Sequence, residues 1–373
     1  MSKKAITIAL AFVVLVMGVF FLLGTPVIMD DGFHYEGFAE ALARGELNFR
    51  DYYGFQGLSF FAVPIYWLTQ SHNSIIYTSM IFALLSIPLA YAVGKAYYKH
   101  EAGGIMAMAI ILLMPYPYVT MMRGFQEAAL LFFILLIIYG AIQKKVWTGL
   151  AWGISGIVKP FALVLAPLFM RRGMKKFEIW CLVLGICVIG AYGIANYAQT
   201  GHFVTLAATG AYQGVFDADN IPALQKSFTL DWKSWARVPA NLLVSSRKIM
   251  ISPLIILLGA ISLWYNKSLL LRKKIILAIV LNIILVGFLT YAFPKYLLPT
   301  ALLLGMMAIP MILTRWWILA LVLVDSIFVF IPIYKFFGHT FWNGVIFWVP
   351  FLLAVILSIY AYRSYHSNPA RTG

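Results

Sequence analysis

Apolar residues run along this chain in long blocks broken by short polar knots. A hydrocarbon layer roughly 30 Å thick is crossed by a helix of about twenty mostly apolar residues, or by fewer where the helix is tilted or screened by neighbours. About twelve segments fit that description: 5–27, 74–98, 102–119, 124–142, 146–158, 160–170, 177–197, 249–265, 274–292, 296–313, 316–333 and 342–362. The pattern predicts an all-α, polytopic membrane bundle, with residues 1–373 forming a single transmembrane domain. The fifth and sixth segments are short and meet at Lys159-Pro160, so they also read as one re-entrant pair. The first block is longer than the apolar core of a signal peptide and leaves through Gly24-Thr25-Pro26, a poor cleavage site, so it is expected to stay as a span.

Two stretches between spans are long enough to hold structure of their own, 28–73 and 198–248. In the first, Gly37 to Leu47 sets Phe38, Ala41 and Leu42 on one stripe, opposite Glu36, Glu40, Arg44 and Glu46, which predicts a helix lying in the interface. Leu58 to Leu68 is too short to span and is expected to dip into the outer leaflet. The second stretch is mixed in polarity and rich in aromatics, as any membrane interface is.

Composition agrees with a bilayer as solvent. The chain is 62% hydrophobic and 11% charged, with a mean hydropathy of +0.88, whereas a soluble domain is about a quarter charged. The net charge of +15 raises nucleic acid as a partner, but its distribution excludes it. Lys3, Lys4, Lys95, Lys99, Lys144, Lys145, Arg171, Arg172, Lys175, Lys176, Lys267, Arg272, Lys273, Lys274, Arg315 and Arg363 all fall on one side of the predicted bundle. By the positive-inside bias that side is the cytoplasm, and both termini face it. Asp30, Asp31, Glu36, Glu40, Glu46, Asp51, Asp217, Asp219 and Asp231 fall on the other. The expected place is a plasma (inner) membrane, with any chemistry on the extracytoplasmic face. Cys181 and Cys187 lie in an apolar run and form neither a metal site nor a disulfide framework.

Few residues in this setting carry chemistry. The adjacent acids Asp30 and Asp31 follow span one, where mutual repulsion makes one hold its proton more tightly. Such a pair supplies a general base, or with Mg or Mn a divalent-cation site; read plainly, it caps the helix that starts near Gly32. Glu127 stands about one turn into span four, an expensive place for an acid, with Arg123 as an i, i+4 partner. Lys159 in the break and Lys295 after Pro294, beside Tyr296, are outer-side cations suited to an anionic ligand such as a lipid phosphate, or snorkelling lysines. His34 reads as an acid, a base, a ligand or a hydrogen-bonding tip. Asp325 in span eleven is either a buried partner for a cation or a boundary misplaced. There is no phosphate-cradling Gly-rich loop, no Gly-x-Ser-x-Gly elbow and no Cys/His metal spacing, so no cofactor read from the cytoplasm is expected.

These motifs in this order resemble the GT-C superfamily of membrane glycosyltransferases, in particular members similar to protein mannosyltransferases and lipid A aminoarabinose transferases. The resemblance is carried by Asp30-Asp31-Gly32-Phe33-His34-Tyr35 after span one, Ala41-Leu42-Ala43-Arg44-Gly45-Glu46, and Phe49-Arg50-Asp51-Tyr52-Tyr53. Arg123 to Glu127, Ile157-Val158-Lys159-Pro160 and Lys295-Tyr296-Leu297-Leu298-Pro299 extend it. It implies inverting transfer of a sugar from a polyprenyl-phosphate donor to a lipid, glycan or protein acceptor on the extracytoplasmic face. Asp30 would be the general base and Asp31 and Glu127 would orient it or hold a cation. Lys159, Lys295 and Arg123 would bind the donor phosphate, with His34, Tyr35 and Tyr296 on the substrate. Two departures stand out: an Asp where many relatives have Glu at the second position, and no soluble domain after the last span. Two other readings are a lipid-linked-sugar transporter or flippase, and a polysaccharide polymerase or ligase working through Arg237, Arg247 and His202.

Overall fold

A computed structural model of the chain describes residues 3–24, 26–28, 31–47, 49, 55–170, 175–200, 236, 251–288, 294–337 and 341–367. Apolar blocks become helix throughout, and the described residues contain no strand. In order these are α1 (Lys3–Leu23), α2 (Asp31–Ala43), α3 (Gly57–Thr69), α4 (Ser74–Tyr98), α5 (Glu101–Leu112), α6 (Pro115–Met121), α7 (Glu127–Gln143), α8 (Trp147–Val158) and α9 (Lys176–Thr200). A 3-10 segment, Pro160–Leu168, lies between α8 and α9. Helices Pro253–Tyr265, Arg272–Gly287, Leu298–Thr314, Trp316–Phe337 and Phe341–His366 complete the order, with a 3-10 turn, Pro294–Leu297, in front of the third.

The outward faces of these helices are themselves apolar. On α1, Ile8, Phe12, Leu15, Val19 and Leu22 form an exposed stripe, while Ile6, Val13, Met17 and Phe21 face inward. A helix apolar on both faces is stable only against lipid. Five helices are long and apolar enough to cross a membrane, and a sixth if α5 and α6 together make one span. The chain is an integral membrane protein. Stretches 57–69, 127–143 and 253–265 are shorter apolar helices.

Proline breaks two of the predicted stretches, at Pro115 and at Pro160. The expected span 102–119 is two helices bent by 53°, because Pro115 drives Met114 out of the helical region, to φ −100°, ψ 86°. Pro160 does the same to Lys159, at φ −150°, ψ 123°, and the chain continues from there as a 3-10 segment rather than an α-helix. Span one stops at Leu23 instead of 27, and the helix expected over 37–47 starts at Asp31, six residues earlier than its stripe predicts.

At the centre α5 is buried on every side from Ala102 to Leu112 and packs on α4 and on the helix Phe341–His366. Next to this core, α8 and α9 cross with backbones nearly touching: a Cβ on Gly149 would run into the Cys181 carbonyl, and one on Gly153 would lie 2.6 Å from that of Gly185. Small residues at such crossings replace the hydrophobic drive that lipid removes. Gly149→Val is therefore expected to lower the midpoint of thermal unfolding in detergent by several degrees, because the intruding methyls meet rigid backbone. A midpoint equal to that of the parent protein would show that the helices separate freely.

Candidate active site

Glu127 is the first residue of α7 and Lys159 the last before the 3-10 segment, and the fold brings them together. The Lys159 ammonium donates to Glu127 Oε1. Both are buried, with Glu127 fully enclosed and Lys159 8% exposed. Each end of the pair has a local cause. Pro160 forces extended backbone at Lys159, which releases its side chain from the face of α8. Glu127 sits at a helix N-terminus, where free N–H groups and the helix dipole favour a carboxylate. Its second oxygen, Oε2, has no hydrogen-bond partner among the described residues. The i, i+4 spacing points to Arg123 as the partner of Glu127, whereas the structure supplies Lys159.

A second pair lies beside the first. Lys295 Nζ is 3.7 Å from Asp31 Oδ2, with side chains 17% and 12% exposed. The same ammonium lies 6.0 Å from the centre of the Phe125 ring and 5.9 Å from that of Tyr296. The segments carrying the two lysines are locked to each other, since Phe161 stacks on Tyr296 with centroids 4.1 Å apart and planes at 16°. Asn282 Nδ2 donates to the Tyr296 carbonyl at 3.1 Å and its Oδ1 accepts from Thr300 at 2.8 Å. Asp31 and Lys295 are close enough to Lys159 for their charges to act on it, so the four form one electrostatic cluster.

α2 delivers Asp31 to this cluster by close backbone approach. A Cβ on Gly32 would collide with the Arg123 carbonyl, and Gly124, at φ +77°, makes the turn that allows the approach. Further along α2, Glu36 leaves the polar stripe that the sequence assigns to it and is buried against the start of α4. Its Oε1 accepts from Ser74 Oγ at 2.7 Å and its Oε2 from Ile75 N at 2.6 Å. The N-cap of α4, Asn73, makes no side-chain cap, so Glu36 caps α4 from another helix. Burial raises its pKa against those hydrogen bonds. Beyond it Glu40 pairs with the exposed His72, whose imidazole it holds above its ordinary range.

The other expected site residues take up these places. Tyr35 is 7% exposed and packed in the main apolar core. His34 is half-buried on α2, and desolvation lowers its pKa against the pull of Asp31. Arg123 stands in the α6–α7 turn, its carbonyl against Gly32. Asp30, Arg237, Arg247 and His202 lie outside the described residues. Asp325 is taken up elsewhere, accepting from Ser252 Oγ at 2.5 Å and Leu254 N at 3.1 Å and so capping the helix Pro253–Tyr265. Asp31 and Glu127, candidates for a divalent cation from sequence, each face a lysine instead. No three His, Cys, Asp or Glu side chains gather among the described residues.

Sequence reasoning passes over Gln126. It is buried, donates from Nε2 to the Phe55 carbonyl, and leaves Oε1 without a partner among the described residues. Its only signal in sequence is a second polar side chain at the start of an apolar helix. Phe161 and Asn282, which fix the Lys295 segment, carry no signal at all, because stacking and carbonyl capping depend on contacts across the bundle.

No protein-family model matches the chain, and no curated protein matches it in sequence. Solved structures do match in fold. ArnT from Cupriavidus metallidurans bound to undecaprenyl phosphate aligns with a TM-score of 0.57 and 11% identity over 99% of this chain and 79% of its own. The apo form of the same protein gives a TM-score of 0.58 and 11% identity over 97% of this chain and 76% of its own. ArnT is a lipid A aminoarabinose transferase of the GT-C superfamily, so one of the groups whose motifs this sequence resembles is also the one whose helical fold it shares.

Proposed function

We propose that the chain is a GT-C-type glycosyltransferase that moves a sugar from a polyprenyl-phosphate donor to a lipid, glycan or protein acceptor, with inversion, on the extracytoplasmic face of the inner membrane. The observation that carries this reading is the pairing of Lys159 with Glu127 and of Lys295 with Asp31, in a fold shared with a protein whose structure is bound to undecaprenyl phosphate. Two lysines screened from water hold a phosphate strongly, and the charge that grows on it as the glycosidic bond breaks is what fixed cations stabilise most. In this scheme Asp30 removes the proton of the acceptor hydroxyl as its oxygen bonds to the anomeric carbon. The anomeric carbon–oxygen bond to the donor phosphate breaks at the same time, and polyprenyl phosphate leaves. Asp31 and Glu127 orient the base and the sugar, and Arg123, His34 and Tyr296 contribute to substrate binding.

A transporter would need ionisable groups free at mid-membrane. Asp325, the deepest acid by the sequence pattern, is engaged as a helix cap, which favours the transferase. The test is purified protein incubated with a panel of polyprenyl-phosphate sugars while released polyprenyl phosphate is followed. Release with at least one sugar is expected. A folded protein that transfers or hydrolyses none of them would overturn the proposal.

A further inference from the structure

The site's described charges are already paired before any ligand enters. Lys159 is held by Glu127 Oε1 and Lys295 lies 3.7 Å from Asp31 Oδ2. A donor phosphate therefore approaches lysines whose positive charge is engaged by carboxylates. In a buried site a phosphate and a carboxylate on one ammonium repel each other at short range, and little solvent screens them. Resting on the donor reading above, we propose that Glu127 and Asp31 occupy the place of the donor phosphate, so that phosphate binding and release of these carboxylates from the lysines are one exchange.

The exchange has a functional consequence. While a carboxylate sits on a lysine, its affinity for a proton or a sugar hydroxyl is spent on that ammonium. Once phosphate takes the lysines, Glu127 swings from Lys159 toward the bound sugar, and its unpartnered Oε2 is the oxygen already free to accept from it. Asp31 likewise leaves Lys295 and turns to support Asp30. Glu127 and Asp31 are masked until the donor arrives, so the acceptor meets a base supported by them only on donor-loaded enzyme, and binding is ordered, donor first.

Competition for the same lysines fixes the sign of an unusual result, because coupling between two occupants of one site is reciprocal. Glu127→Gln and Asp31→Asn should each bind undecaprenyl phosphate in nanodiscs about tenfold more tightly than the parent protein, while transferring sugar more slowly. Glu127→Gln leaves Lys159 buried without its counter-charge; if that variant does not fold, Asp31→Asn at the more open pair carries the same expectation. Undecaprenol, phosphatidylglycerol and inorganic phosphate serve as competitors. Unchanged or weaker binding in the folded variants overturns the exchange but leaves the transferase reading standing. Parent protein that prefers undecaprenyl phosphate no more than undecaprenol removes the donor reading itself. Displacement by phosphatidylglycerol or inorganic phosphate as readily as by undecaprenyl phosphate overturns the donor-phosphate form of the exchange.

Discussion

Lys159→Met is expected to lower sugar transfer by roughly 10² to 10³-fold, the cost of removing one fixed group that stabilises developing negative charge. Methionine keeps the length and apolar stem of the side chain, so the loss is of charge rather than of volume. The variant also leaves Glu127 buried without its partner, and an uncompensated charge in such a place costs about 3–5 kcal/mol. Glu127 escapes part of that cost by taking up a proton. Two measurements separate the effects: released polyprenyl phosphate reports the chemistry, and thermal unfolding in detergent reports the buried acid. In the double variant Lys159→Met, Glu127→Gln neither member of this pair is charged, so stability should return toward that of the parent while transfer stays low. Recovery of transfer along with stability would show that Lys159 serves only to neutralise Glu127.

Local chemistry explains which of these features can be read from sequence. Blocks of apolar residues fix helices because a chain in lipid must satisfy its own backbone, and Pro160 after Lys159 announces a break with a freed cation in it. The acidic loop, Glu127 and the two lysines are legible for the same reason: a charge in an apolar setting is costly enough to stand out. Partners are not legible. Arg123 is four residues from Glu127 and Lys159 is 32 away, and only the packing of α7 against α8 and the 3-10 segment decides for the lysine. Glu36 looks in sequence like any residue on the wet face of an amphipathic helix, and it is buried only because α4 arrives without a cap of its own. Asp325 is ambiguous in sequence for a matching reason, since the helix N-terminus that it caps lies more than seventy residues away in the chain. At Pro115 and Pro160, counting spans by length overlooks a break, because proline divides an apolar block without making it any less apolar.

Asp30→Asn should reduce transfer by roughly 10² to 10⁴-fold, the range that general-base catalysis supplies, while leaving the binding of undecaprenyl phosphate close to that of the parent. The asymmetry follows from position. Asp31, its neighbour in sequence, lies 3.7 Å from Lys295 and belongs to the charge cluster that would receive the phosphate. In the proposed mechanism Asp30 meets the acceptor hydroxyl, and an amide in its place has the same shape but cannot accept the proton. Asp31→Asn should then slow transfer less and change donor affinity more, so the two variants separate along different axes. Adjacent acids titrate as a pair, and this is why activity alone does not assign the base: affinity and rate must be measured together on both. Loss of transfer in Arg237→Ala or Arg247→Ala, with Asp30→Asn fully active, would move the chemistry to the 198–248 stretch and favour a polymerase or ligase. Equal loss of both donor binding and transfer in Asp30→Asn would make Asp30 a binding residue and leave the reaction without its base.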